Sequence, residues 1–236
     1  MPTTDINDGS RFGWVPHRLR DSLTERGARD TVRRLWRMVS SRWRERRLGI
    51  RTAGSISGSE MEFDADSFGY QPVPYASFDA AMRHVSVRPG QDVFIDYGCG
   101  MGRAVVVAAT YPFRQVIGVE RSPSLSAIAR DNVSRATSKL RCGDVSIATT
   151  DARDYEVPDN ATHIFLFNPF DEAIVMAVLA RIHDSIHANP RTVSIIYALP
   201  KCRRDPLADV PWLEVKQELN TIDSDWQRLA IYETIA

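Results

Sequence analysis

Between Val93 and Ala109 the chain reads VFIDYGCGMGRAVVVAA: an apolar run, three glycines within five residues, and a second apolar run. Glycine inside a strand or helix costs about 0.5–1 kcal/mol relative to alanine, so Gly98, Gly100 and Gly102 mark a stretch whose backbone must be bare. The arrangement predicts a strand over Val93 to Ile95, a turn over Asp96 to Gly102, and a helix from Gly102 to Thr110. In an open parallel sheet such a turn lies at the carboxyl edge, where ligands bind.

The rest of the chain repeats this cadence. QVIGVE reads as a second strand, DVSIATTD as a third, THIFLFN as a fourth and TVSIIYAL as a fifth. Between them lie a helix over SPSLSAIARDNVSRA, with Ser122 as N-cap and Pro123 in its first turn, and a helix from Asp171 to Ala188. Strands alternating with helices imply parallel crossovers with helices on both sheet faces. The end of the chain breaks the pattern, since WLEVKQEL, the turn-rich NTIDSD and WQRLAIYETI form a hairpin. The expected fold is therefore α/β: a doubly wound, seven-stranded, mostly parallel sheet with an antiparallel C-terminal hairpin and an N-terminal helical extension. Residues 1–52 form the basic extension, 53–75 a linker and lid segment, and 76–236 the ligand-binding domain.

The loop's spacing discriminates between ligands. A dinucleotide fingerprint carries its third glycine one position later, and a phosphate loop requires Lys followed by Ser or Thr, which GMGRAVV does not supply. Asp96, two residues ahead of the first glycine, disfavours a pyrophosphate and favours a cationic or hydroxyl-rich ligand. Glu120 ends the second strand about 20 residues on, where a carboxylate accepts both hydroxyls of a ribose. Asp151, beyond the third strand, is placed to accept a hydrogen bond from an amino group such as that of adenine.

On these residues the chain resembles the class I S-adenosylmethionine-dependent methyltransferases, over roughly Tyr70 to Ala236. DYGCGMGR is similar to their first motif, VIGVE carries the second-strand acid, TTDA the third-strand acid, and FLFNPF the fourth-strand substrate motif. The resemblance implies that Asp96, Gly98, Gly100 and Gly102 hold the methionine part of S-adenosylmethionine, Glu120 the ribose, and Asp151 with Ala152 the adenine. S-adenosylhomocysteine would be the product. Arg103 is read as pairing either with the cofactor carboxylate or with Asp96.

Asn168, Pro169 and Phe170 follow the fourth strand. An Asn carbonyl and the Pro169 backbone carbonyl would accept hydrogen bonds from an amine or amide nitrogen and aim its lone pair, with Phe170 packed against it. This resembles the Asn-Pro-Pro-aromatic motif of amino-group methyltransferases, although only one proline is present here. The expected reaction is methyl transfer to a substrate nitrogen of a protein side chain or small molecule. The alternatives are oxygen methylation of a small metabolite or glycan, with His84 or His163 as base, and a cofactor-binding regulator without turnover. GYQPVPY, ahead of the first motif, carries Tyr70 and Tyr75 on a proline-stiffened segment read as a lid, Tyr75 being nearer the methyl group or substrate. Non-SET histone-lysine methyltransferases, to which the layout is distantly similar, also cover their cofactor with a Tyr-bearing segment.

Composition bears mainly on partners. The formal charge is zero, yet Arg11 to Arg51 holds 13 arginines against four acids, leaving an acidic body. From Leu19 to Leu48 the spacing of Val32, Leu35, Trp36, Val39 and Trp43 predicts an amphipathic basic helix. Three partners suit it: nucleic acid, an anionic membrane surface, and the acidic body or a second subunit, with the oligomeric state left open. Cys99, Cys142 and Cys202 form neither a disulfide framework nor a metal spacing. His183 and His187, in HDSIH, lack a third ligand and read as a solvated helix face. With no run of eighteen apolar residues and no secretory pattern in MPTTDINDGS, the expectation is a soluble, cytoplasmic protein.

Overall fold

The computed structural model describes residues 28–54, 70–167, 171–200, 202–220 and 227–235. The chain divides into two compact units between Trp43 and Arg44. Helix α1 spans Ala28–Leu48, so the expected basic helix is present from Ala28, while its expected start at Leu19 lies outside the described residues. Most of the linker, residues 55–69, lies outside them as well.

The second unit contains α2 (Tyr75–Met82), β1 (Val93–Tyr97), α3 (Arg103–Ala108), β2 (Gln115–Glu120), α4 (Pro123–Ala136), β3 (Val145–Thr149), β4 (Ala161–Phe167), α5 (Glu172–Ala188), β5 (Ser194–Pro200), β6 (Leu213–Asn220) and β7 (Gln227–Thr234). The strands form one seven-stranded sheet in the order β3-β2-β1-β4-β5-β7-β6. β1 to β5 pair in parallel, while β7 runs antiparallel to both β5 and β6. The order reverses direction between β1 and β4, which creates the crevice where ligands bind in such sheets.

The period of two along each strand sorts side chains to opposite faces. Phe94, Val116, Phe165 and Ile196 join one apolar cluster with Val105 and Val106 of α3. Ile95, Ile117, Ile164 and Ile195 join the other with Val175, Val178 and Ile182 of α5. β1 is buried at all five positions, whereas β3, an edge strand, is only partly covered. That contrast explains why β1 reads as a continuous apolar run and β3 as a mixed one.

The expected helix starts hold. Ser122 accepts a hydrogen bond from the Leu125 amide and Asp171 from the Ile174 amide, satisfying N–H groups that have no partner inside their helices. The lid segment departs from expectation: after Pro74, which is extended at φ −61° and ψ 134°, the chain enters α2 at Tyr75. Tyr75 is thus the first residue of a buried helix.

Candidate functional site

β1 ends at Tyr97, and the chain reverses through Gly98, Gly100 and Gly102, all at positive φ. The Gly98 and Cys99 amides both donate to the Val119 carbonyl, at 2.8 and 3.0 Å, locking the turn against β2. At Gly100, with φ +54°, a β-carbon would lie 2.4 Å from the Tyr70 ring; at Gly102 it would lie 3.0 Å from Ala129 Cβ of α4. The bareness of these two positions therefore also admits a tyrosine ring and a neighbouring helix.

Three carboxylates follow at the carboxyl edge. Asp96 is 3% exposed, and no donor among the described residues hydrogen-bonds its oxygens. Burial, with the Glu120 charge adding to it, pushes its carboxyl up to about 8. Glu120 is also buried, and burial raises its carboxyl, although its Oε2 accepts the Gly100 amide at 2.9 Å and its Oε1 the Ser122 amide at 2.8 Å. The Arg121 amide bonds the same carboxylate, so three backbone donors already engage it. Asp151 faces the opposite environment: hydrogen bonds from the Arg153 guanidinium and amide, at 2.8–3.0 Å, hold it down at about 2. Ala152 beside it is buried in the apolar cluster under β2.

Residues 44–54 and 70–75 form a strap held to this loop. Arg103, the first residue of α3, donates from Nε to Thr52 Oγ1 at 2.7 Å, from Nη1 to the Val73 carbonyl at 3.0 Å, and from Nη2 to Glu45 at 3.1 Å. Glu45 also accepts the Thr52 amide and hydroxyl. The guanidinium is thus engaged with the strap and forms no bond to Asp96, which corrects that pairing. Tyr75 lies between two cations, its ring centroid 4.7 Å from the Arg44 guanidinium carbon and 4.6 Å from that of Arg103. Tyr70 packs its ring on Gly100 and donates its hydroxyl to the Thr52 carbonyl at 2.9 Å. Tyr70 therefore covers the loop as a strap residue, whereas Tyr75 packs against the two arginines.

Asn132 of α4 was not anticipated from sequence. Its Nδ2 donates to the Met101 carbonyl at 2.9 Å and the Arg51 carbonyl at 3.2 Å, and its Oδ1 accepts the Arg51 amide. The signal was available: Leu125, Ala129, Asn132 and Ala136 share one buried face, and an amide in an apolar stripe requires buried partners. Asn168, Pro169 and Phe170 lie outside the described residues. Before them, Leu166 of β4 pairs with Tyr97 of β1 and Phe167 with Ala198 of β5, so the end of β4 lies beside the end of β1, where the glycine turn begins. His163, by contrast, lies toward the amino end of β4 opposite Phe94, buried and bonded to Thr162 and the Ser86 carbonyl. It cannot serve as a base at the carboxyl edge. His84 is exposed in the bend after α2, and His183 stacks on Trp212 at 4.9 Å.

The residues fit a cationic nucleoside. A buried carboxylate without a donor among the described residues calls for a cationic N–H or a nearby positive charge, and a second carboxylate at the same edge suits a sugar hydroxyl as donor. Replacing Glu120 by Ala removes this acceptor and also strands the Gly100 and Ser122 amides. The expected loss of S-adenosylmethionine affinity is about 1–3 kcal/mol, measured by calorimetry, with the thermal midpoint as a check on folding. Unchanged affinity would refute the ribose assignment.

Residues 94–188 match the family model described as a methyltransferase domain. No curated protein matches the chain. Among solved structures, the chain is similar to an RNA methyltransferase from Salinibacter ruber in complex with S-adenosyl-L-homocysteine, at 17% identity, covering 70% of this chain and 94% of that one with a TM-score of 0.50. It is similar also to precorrin 8w decarboxylase from Methanobacterium thermoautotrophicum, at 19% identity, 71% and 93% coverage and a TM-score of 0.53. A third likeness is to a methylase candidate from Haemophilus influenzae, at 14% identity, 70% and 92% coverage and a TM-score of 0.53. These likenesses establish the seven-stranded fold.

Proposed function

We propose that this chain, which carries a class I S-adenosylmethionine-dependent methyltransferase domain, transfers the methyl group to a nitrogen of its acceptor. The observation that carries this reading is the position of β4. Its last paired residue on this side, Leu166, lies beside Tyr97 at the end of β1, and Asn168 and Pro169 come next but one and next but two in the sequence.

Bound at this edge, S-adenosylmethionine supplies a methyl group on a positively charged sulfur. The protein's own tasks are holding, aiming and excluding water. Asp96, ionised, balances positive charge in a buried place; Glu120 holds the hydroxyls while bracing the Gly100 and Ser122 amides. The Tyr70 ring closes over the loop from the strap side. At the acceptor side, the Asn168 carbonyl and the Pro169 backbone carbonyl accept N–H bonds from the incoming amine, leaving its lone pair directed at the methyl carbon, with Phe170 packed against it. Carbonyls accept from N–H groups and so select a nitrogen that has protons to donate. Oxygen methylation needs a general base, and His163, the one buried histidine considered for that role, lies at the other end of β4.

The test is labelling of a cell lysate by the purified protein with S-[methyl-³H]adenosylmethionine, followed by mild alkali and amine analysis. Label that survives alkali and migrates with methylated amines or amides is expected; label released as methanol, or found in an ether, overturns the nitrogen assignment. The Asn168→Ala variant is expected to lose turnover by about 10²-fold or more, in line with the loss of a positioning contact, while binding S-adenosylmethionine with nearly the parent affinity. Equal loss of both would make Asn168 a structural residue.

A further inference from the structure

We infer that α1 is an interfacial helix that seats the protein on an anionic lipid surface. On α1, Val32, Trp36, Val39 and Trp43 follow one another at steps of four, three and four residues, so at about 3.6 residues per turn they form a single stripe. The stripe faces solvent: Val32 is 64% exposed, Trp36 72% and Val39 60%. Leu35, at one edge of it, and Met38 beyond are exposed as well. Arg42 lies on one margin and Arg47 on the other, both exposed. Across α1, eight arginines stand against Asp30 and Glu45, and Glu45 is already committed to Arg103 and Thr52.

The two properties together select the occupant. A nucleic acid would answer the arginines, since phosphate neutralisation drives that binding, but it offers nothing that buries Val32, Trp36 and Val39. A second copy would cover the apolar stripe while bringing another arginine-rich helix alongside, like charge against like. A surface of anionic headgroups over hydrocarbon accommodates both, with the stripe in the acyl boundary, the indole of Trp36 at headgroup depth and the arginines against phosphate and carboxylate. The helix lies on such a surface and does not cross it, because no helix among the described residues is long and apolar enough to span a membrane. This inference is independent of which atom accepts the methyl group.

The test uses the full chain and vesicles of phosphatidylcholine with about 30% phosphatidylserine at about 0.1 M salt, alongside vesicles of phosphatidylcholine alone. Flotation with the anionic vesicles is expected, together with quenching of tryptophan emission by acyl-brominated lipid. Trp36→Asp and Val39→Asp, which alter exposed positions, should each weaken vesicle binding at least tenfold with an unchanged thermal midpoint. Arg42→Gln should weaken it and flatten its salt dependence. Four results overturn the inference: no flotation by the folded protein, flotation without quenching, dimerisation that Trp36→Asp abolishes while vesicles do not bind, or binding to duplex nucleic acid that Arg42→Gln weakens and Trp36→Asp leaves intact while vesicles do not bind. Weak flotation of the parent that Trp36→Asp does not change overturns it equally.

Discussion

Affinity for S-adenosylmethionine is expected to fall about twentyfold between pH 7.5 and pH 6, and this dependence should vanish in Asp96→Asn. The cause is the Asp96 carboxyl, pushed up to about 8 by burial and by the neighbouring Glu120 charge. The free protein holds a proton on Asp96 at both pH values, more completely at pH 6. A cationic ligand binds the ionised form, so that proton must leave, and well below the raised pKa each pH unit costs about tenfold in affinity, or about 1.4 kcal/mol. The ligand's own amine titrates identically with both proteins, so comparing them isolates Asp96. The Asn variant should also bind more weakly at pH 7.5, by about 2–5 kcal/mol, the cost of losing one partner of a buried charge pair. The folding linkage has a defined sign. Because the folded pKa is raised above the ordinary value of 3.8, the native state binds this proton more tightly than the unfolded chain. Its contribution to stability is complete below about pH 4 and is lost as pH rises toward 8, so without cofactor the Asn variant should lose less stability across that window. Calorimetric affinities that are flat from pH 6 to 7.5 in the parent would remove Asp96 from the role of cation partner.

The elements that were legible in the sequence are those that local chemistry determines. The buried strands β1, β2, β4 and β5 declare themselves by apolar runs bounded by turn residues, and the starts of α4 and α5 by Ser122 and Asp171, whose side chains bond amides three positions on. The carboxylates at strand ends were legible for a similar reason: in a parallel sheet the carboxyl ends of the strands share one edge, so Asp96 and Glu120 at the ends of β1 and β2 and Asp151 just beyond β3 had to gather there. What escaped was long-range complementarity. Arg103 meets Val73, Thr52 and Glu45 across 30, 51 and 58 residues of sequence, and nothing in RAVVVA points to those partners. Gly100 was read as bare toward a ligand, while Tyr70, thirty residues earlier, fills the space that its missing β-carbon leaves. Tyr75 looked like a lid residue because two prolines precede it; the same Pro74, with its fixed φ, instead introduces a helix whose first side chain is clamped between Arg44 and Arg103. Asn132 is the intermediate case, since its apolar companions signalled a buried amide without identifying the Met101 and Arg51 carbonyls.

Replacing Arg103 with Met should destabilise the second unit by about 3–5 kcal/mol, because the change leaves the buried Glu45 carboxylate without its cation. Both ends of that pair are nearly out of solvent, with side-chain exposures of 7% and 10% at 3.1 Å, so water cannot restore what is lost. The Val73 carbonyl and Thr52 hydroxyl lose their donors at the same time, and Tyr75 loses one of its two flanking cations. A second replacement, Glu45→Gln, removes the stranded charge, and the double variant should recover a large part of the loss, giving a coupling well above the scatter expected for independent sites. Urea unfolding of the full chain reads both quantities. The competing role, a pair between Arg103 and the cofactor carboxylate, makes a different prediction. In that case Arg103→Met would leave unfolding nearly unchanged, and it would erase the difference in affinity between S-adenosylmethionine and its decarboxylated analogue. The strap network predicts the reverse on both counts, with unfolding strongly shifted and the discrimination between the two cofactors preserved in whatever fraction of the variant remains folded. Because the strap carries Tyr70 over Gly100, cofactor affinity should fall in parallel with strap stability, and Glu45→Gln in the double variant should restore both together.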